Sequence, residues 1–172
     1  IVTDKKHGLI VSSDVVNESN DLGQFANQIE QANQTLEGKC RIACADAGYA
    51  KTDELKKIDD QDITVIVPSQ KQAHDNSFSP FAKERFSYDV KNDCYICPEG
   101  HKLNYSHFSI KKQHKLYRMS NKSICHSCKD YKACTNSKRG RAVIRLLNEE
   151  TKLKLQDQYK TEQSQFIYKR RK

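Results

Sequence analysis

Cys40-Arg-Ile-Ala-Cys44-Ala-Asp46-Ala-Gly-Tyr49 and, after a short polar stretch, Ile63-Thr-Val-Ile-Val67-Pro68 decide the fold of this chain. Each apolar run is short, rich in small or β-branched residues and closed by a turn signal, which is how buried strands read. Between them Thr52 can cap a short helix that runs through Ile58. Upstream, Leu22, Phe25, Ala26, Ile29 and Leu36 fall at helical spacing, with Ser19-Asn20-Asp21 as caps and Gly38 as the stop. Further back, Ile1-Val-Thr-Asp4 and Gly8-Leu-Ile-Val11, with Ser12 to Val16, read as an antiparallel hairpin. The order is strand, strand, helix, strand, helix, strand. A hairpin followed by crossover helices implies an α/β fold with a mixed sheet covered on its faces, compatible with a ribonuclease H-like architecture.

From Ser69 to about Ser87, including Ser77-Phe-Ser-Pro80, the chain reads as a polar connector. A cysteine-rich module with little apolar content follows over residues 86–135. After Arg139-Gly140-Arg141, the residues Ala142, Val143, Leu146, Leu147 and Leu153 suggest a helix that reaches about Thr161. The hydrophobic content is 36%, and no run approaches the roughly 18 apolar residues of a membrane span. With no signal peptide either, the expectation is a cytoplasmic protein without a membrane partner. The chain opens at Ile1 and its one methionine is Met119, so it reads as a piece of a longer protein.

Charge divides the chain. Residues 1–76 carry 8 Lys and Arg against 13 Asp and Glu, whereas residues 77–172 carry 22 against 9. A cationic half suits phosphates and an acidic half suits divalent metal, although a lysine-rich solvated surface has the same composition.

Seven cysteines without a secretory signal argue against a disulfide framework. Cys94-x2-Cys97 and Cys125-x2-Cys128 have the spacing of two knuckles around one tetrahedral Zn²⁺. Cys134 or His126 could substitute for one of these four. Gly100 suits the knuckle turn after Cys97 because it tolerates positive φ. Four thiolates would close the shell, which makes the ion structural. Cys40 and Cys44, about 13 Å apart on an extended strand, cannot form a disulfide and read as small core hydrophobes. The remaining histidines, His7, His74, His101, His107 and His114, read as surface residues.

Asp46 ends a buried strand, where open α/β sheets place their ligands; the competing reading is a helix cap. Here the chain resembles a known family. Cys44-Ala-Asp46-Ala-Gly-Tyr49, the helix after it and Ile63-Thr-Val-Ile-Val-Pro68 are similar to a region of bacterial insertion-sequence DDE transposases. Asp4 to Val11 and Asn20-Asp21 resemble the segment before it in that family. Tyr88 to Leu103, Cys125-His-Ser-Cys128 and Cys134-Thr135 resemble the family's cysteine insertion. Tyr168-Lys-Arg-Arg171 matches the start of its terminal Y-x2-R-x3-E signature.

The resemblance implies a DNA transposase that performs metal-dependent phosphodiester cleavage and strand transfer, using Mg²⁺ or Mn²⁺ held by three carboxylates. Asp46 matches the second acid, Tyr168, Arg170 and Arg171 would position DNA, and Cys97, Cys125, Cys128 and Cys134 would hold zinc, with Cys94 an addition. The first and third acids would lie outside these residues, so the fragment alone is expected to be inactive. Asp4 is a less favoured stand-in, and Glu149 and Glu150 read as solvated helix residues. The implied partners are transposon ends and target DNA, with a homo-oligomer possible. The implied domains are a transposase core over 1–77 and 136–172 and a zinc-binding insertion over 78–135. A zinc-containing DNA-binding remnant without catalysis is the alternative, and an unrelated zinc-ribbon protein a second rival.

Overall fold

A computed structural model describes residues 1–73 and 79–171. His74, Ser77 and Phe78, named above, lie outside the described residues. The chain is α/β and divides into two compact units, one of residues 1–76 and 150–172, the other of residues 77–149. Among the described residues no helix is long and apolar enough to cross a membrane.

In the first unit β1 (Val2–Thr3) pairs antiparallel with β2 (Ile10–Ser12), as the hairpin reading expects. Asp4 holds the turn. One carboxylate oxygen accepts from Lys6 and His7 N–H and the other from Leu9 N–H, at 2.8–3.0 Å. Helix α1 (Phe25–Thr35) buries Phe25, Ala26, Ile29 and Ala32, the i, i+1, i+4, i+7 stripe of an amphipathic helix. It stops at Glu37, which takes φ +48°, one residue before the glycine expected to end it.

Strand β3 (Ile42–Cys44) runs parallel to β4 (Thr64–Ile66), and α2 (Thr52–Asp59) makes the crossover. Thr52 is the first helical residue of α2 rather than its cap; Lys51 stands at the cap without a side-chain bond. Instead of one mixed sheet, the unit holds two sheets of two strands each. Its core joins α1, α2, β3 and β4 through Phe25, Ile29, Ala43, Ile58 and Val65. After the short α3 (Gln70–Ala73) and the second unit, the chain returns to this core with Leu155. Gln158 donates to the Val65 carbonyl at 3.1 Å and Lys154 pairs with Asp59 at 2.7 Å.

The second unit is a five-stranded antiparallel sheet in the order β5 (Ser87–Asp89), β6 (Cys94–Ile96), β7 (Lys102–Ser109), β8 (His114–Met119) and β9 (Ala142–Leu146). Short helices α4 (Lys122–His126) and α5 (Tyr131–Cys134) lie between β8 and β9. The helix expected from Ala142 is thus strand β9, and residues 136–149, expected with the first unit, belong to this one. The helical segment starts later, as α6 (Glu149–Lys160), and breaks at Thr161, which caps α7 (Glu162–Lys169). The module also has a core of its own: Phe86, Tyr95, Leu103, Tyr117, Met119 and Val143. Glu149 is not solvated. It is 1% exposed, pairs with Lys83 at 2.5 Å and accepts from Leu146 N–H. His114, expected at the surface, is buried.

Asp93 ties this sheet together. It accepts from Tyr88 Oη at 2.5 Å and Tyr117 Oη at 2.6 Å. Those two bonds, Tyr117's first, hold its carboxyl below the ordinary carboxylate range. A depressed carboxylate contributes its stabilisation fully above the unfolded value, near pH 4, and loses it as pH falls through the folded value. Asp93→Asn, tolerated at the residue's φ of +44°, should therefore lower the thermal midpoint at neutral pH and flatten its decline below about pH 4. Parallel acid profiles for the two proteins would show that the carboxylate is not engaged.

Candidate functional site

Asp46 sits just past β3 in a cleft of about 530 Å³ in the first unit. The cleft is lined by Val2 and Thr3 of β1 and Asp4 after it, by Gln28 and Ala32 of α1, by Ile42 and Cys44 of β3, and by Cys40 and Asp46 on either side of that strand. Ile167, Arg170 and Arg171 close another side. The expected acid and both expected arginines therefore meet in one place, although well over a hundred residues of chain separate them.

Asp46 does what a cap does: its Oδ1 accepts from Gly48 N–H at 2.8 Å and starts the 3₁₀ turn Ala47–Tyr49. The approach is so close that a Cβ on residue 48 would lie 2.9 Å from that oxygen, which explains the glycine. Oδ2 has no hydrogen bond among the described residues, and Asp46 is exposed. One oxygen is structural and the other is open to the cleft. Asp4 also reaches the cleft, but backbone amides of its turn occupy both of its oxygens and lower its pKa, with the His7 and Leu9 N–H groups contributing most. It is a turn residue here.

Arg171 lies 4.4 Å from the Tyr168 ring centroid and Arg170 lies 5.1 Å from that of Phe166, so the aromatic rings carry the guanidinium groups. Tyr168 in turn packs edge-on against Tyr159 at 5.1 Å. The terminal segment is a built helix face through Lys169, not a frayed tail. Arg171 also acts electrostatically on Cys44 and feels the charge of Asp46. Burial pushes the Cys44 thiol up, and Arg171 opposes that shift. Cys44 is thus a cleft residue, not the core hydrophobe expected. The signal for it was its place two residues before Asp46, on the same side of an extended chain.

In the second unit Cys97, Cys125, Cys128 and Cys134 line one pocket of about 30 Å³, together with Pro98, Met119 and Arg141. Gly100 takes φ +80° and its N–H donates to the Cys97 carbonyl at 2.8 Å, forming a tight knuckle turn. His101 N–H points at Cys97 Sγ and Arg141 N–H at Cys125 Sγ, both at 3.4 Å, contacts that favour a thiolate. Burial raises the Cys134 thiol, Arg141 lowers it, and the three neighbouring thiols raise it further. Cys94 is not in this pocket; it is buried on the sheet opposite Asn104. His126 stacks on Tyr131 at 4.8 Å.

As placed, the four thiols share a pocket without forming a ligand shell. Among the described residues no group of three or more His, Cys, Asp or Glu side chains could hold a metal ion. Among the described residues the cleft likewise offers a single carboxylate oxygen without a hydrogen bond, too little by itself for a two-metal centre.

No curated protein and no solved structure matches the chain. One family model does, that of the transposase DDE domain, over residues 96–172. The matched stretch contains the four pocket cysteines and Tyr168, Arg170 and Arg171, while Asp46 lies before it. Over residues 96–172, a little under half of its length, the chain is similar to the transposase DDE domain.

Proposed function

We propose that the protein acts on DNA as part of a transposase that cleaves phosphodiester bonds and transfers the strand, with Asp46 as one of its metal-holding acids. The observation that carries this reading is the meeting of Asp46 with Arg170 and Arg171 in one cleft at the end of β3. A carboxylate that holds a divalent cation needs an open oxygen, and a scissile phosphate needs cations beside it. The cleft has both. The hairpin, the parallel β3–β4 pair and the helices around them support a ribonuclease H-like core. Mg²⁺ or Mn²⁺ would supply Lewis-acid stabilisation of the phosphate when bound. Among the described residues the cleft holds no other carboxylate with a free oxygen, since both oxygens of Asp4 are taken by its turn, so no reaction step is assigned to the ion.

Within that scheme the chain's own groups have separable tasks. Arg170 and Arg171 would hold phosphate oxygens, and the aromatic rings of Phe166 and Tyr168 beneath them limit their freedom. For the cysteine pocket we propose a structural Zn²⁺ on Cys97, Cys125, Cys128 and Cys134, whose thiols would have to draw together from their present placement to make a shell; their shared pocket and the two N–H···S contacts support it. A non-catalytic DNA-binding role is the second reading. The single open carboxylate in the cleft favours it.

The test is duplex binding and plasmid nicking by the 172-residue chain. Arg170→Gln with Arg171→Gln should weaken duplex binding at least tenfold at roughly 0.1 M salt, and supercoiled plasmid should stay intact with Mg²⁺ or Mn²⁺. Unaltered affinity in that double variant would remove the arginines from the site. Robust nicking by the chain would mean that two further carboxylates reach the cleft.

A further inference from the structure

We infer that the β7–β8 arm of the second unit is a separate surface for duplex DNA, which it holds by the phosphates. The inference rests on the DNA-acting reading above but uses none of the cleft residues. Residues 100–129 contain seven Lys and Arg, four His and no Asp or Glu. The whole unit, residues 77–149, has 15 Lys and Arg against 6 Asp and Glu.

The fold turns that composition into a face. Asn104 and Arg118 are directly opposed across β7 and β8, and Lys102 lies two residues before Asn104, on the same side of the strand. Asn104 is fixed by donating to Ser120 Oγ at 2.9 Å. At the tip, residues 110–113 expose Lys111 and Lys112 beside Ile110, which is 78% exposed. Beyond Asn104 the outer edge of β7 has no partner strand among the described residues, and the pairing of β7 with β8 shifts register between Tyr105 and His107. Such a shift protects an edge from pairing with another strand but leaves it open to other ligands.

Lysines of the first unit find carboxylates: Lys56 has Asp60, Lys57 has Glu54 and Lys154 has Asp59. On the arm, Lys111, Lys112 and Arg118 have no ion pair among the described residues. Lys102 acts on Asp89 only weakly and makes no ion pair with it among the described residues, so it stays in the proposed contact set, whereas Lys115 is held by Asp93 at 3.6 Å and is left out. Uncompensated cations along a two-stranded ribbon match the phosphates flanking a groove. The major groove of B-DNA, roughly 12 Å wide, admits such a ribbon.

The experiment compares the wild-type chain with a variant carrying Lys102→Gln, Lys111→Gln, Lys112→Gln and Arg118→Gln, both checked for an unchanged circular dichroism spectrum. Affinity for a mixed-sequence duplex is followed across salt concentration. The expected result is affinity at least tenfold lower at roughly 0.1 M salt and a log–log salt slope shallower by about 3 to 4, since each phosphate contact contributes about 0.9. Lys111→Arg with Lys112→Arg should keep wild-type binding, because charge and not shape is read. An unchanged slope in the quadruple variant would overturn the arm as a DNA surface and leave the cleft reading intact. Preference of the arm for single-stranded RNA over duplex DNA would overturn it too. Failure of the wild-type chain to bind duplex at all would count against the DNA reading itself.

Discussion

On the proposed reading, Asp46→Asn should reduce metal-dependent strand cleavage by about a thousandfold or more in a preparation of the protein that cleaves DNA, with duplex affinity unchanged within about twofold. Losing one anionic ligand of a catalytic cation removes several kcal/mol of transition-state stabilisation, and about 4 kcal/mol is three powers of ten. Asparagine is the right replacement because it separates the two tasks of this side chain. Its Oδ1 can still accept from Gly48 N–H, so the 3₁₀ turn over Ala47–Tyr49 keeps its cap. Only the anionic oxygen facing the cleft is lost. Cleavage that survives in the Asn variant would make Asp46 a cap and nothing more. A variant that loses both cleavage and the turn, seen as accelerated amide exchange at Gly48, would show that the cap had not been preserved.

The same aspartate shows what could be read from the sequence. A strand of small apolar residues that ends in Asp and a Gly-containing turn already placed the carboxylate at a sheet end, and the cleft is there. The arginines could be matched to it only by resemblance, because residues so far apart in the chain carry no local sign of their meeting. Cys44 was misread because burial and small size make a thiol look like any core residue.

The second unit was misread for a different reason. Its core includes Tyr95 and Tyr117, with Tyr88 and Tyr131 packed against it, and a buried arginine lies beside it; such residues weaken a periodicity reading. Arg145 is 8% exposed and lies 3.8 Å from the Tyr88 ring centroid, so an inward charge interrupts the apolar alternation of β9. What remains, Ala142, Val143, Leu146 and Leu147, fits helical spacing equally well. The same tyrosines explain why the cysteine module looked too poor in apolar residues to hold itself together, when it carries a sheet and a cluster of its own.

That core sets the scale of the last prediction. On the proposed zinc reading, a module with no core would unfold when the ion is removed, whereas this unit should loosen only around its pocket. Elemental analysis of the purified chain should find one zinc per chain. Cys125→Ser should abolish it, because Cys125 is buried between the knuckle around Cys97 and the Arg141 N–H. Cys94→Ser should keep it, since Cys94 faces the sheet and not the pocket. Chelation should then speed amide exchange over residues 97–101 and 121–141 by tenfold or more. Strands β7 and β8 should be protected by their ladders, and the first unit should show no change. Exchange that accelerates across the whole sheet would mean that the tyrosine cluster cannot stand without the ion. Zinc that persists in the Cys125 variant but is lost with Cys94 would move the ligand set to the sheet, and the pocket would then be a packing feature alone.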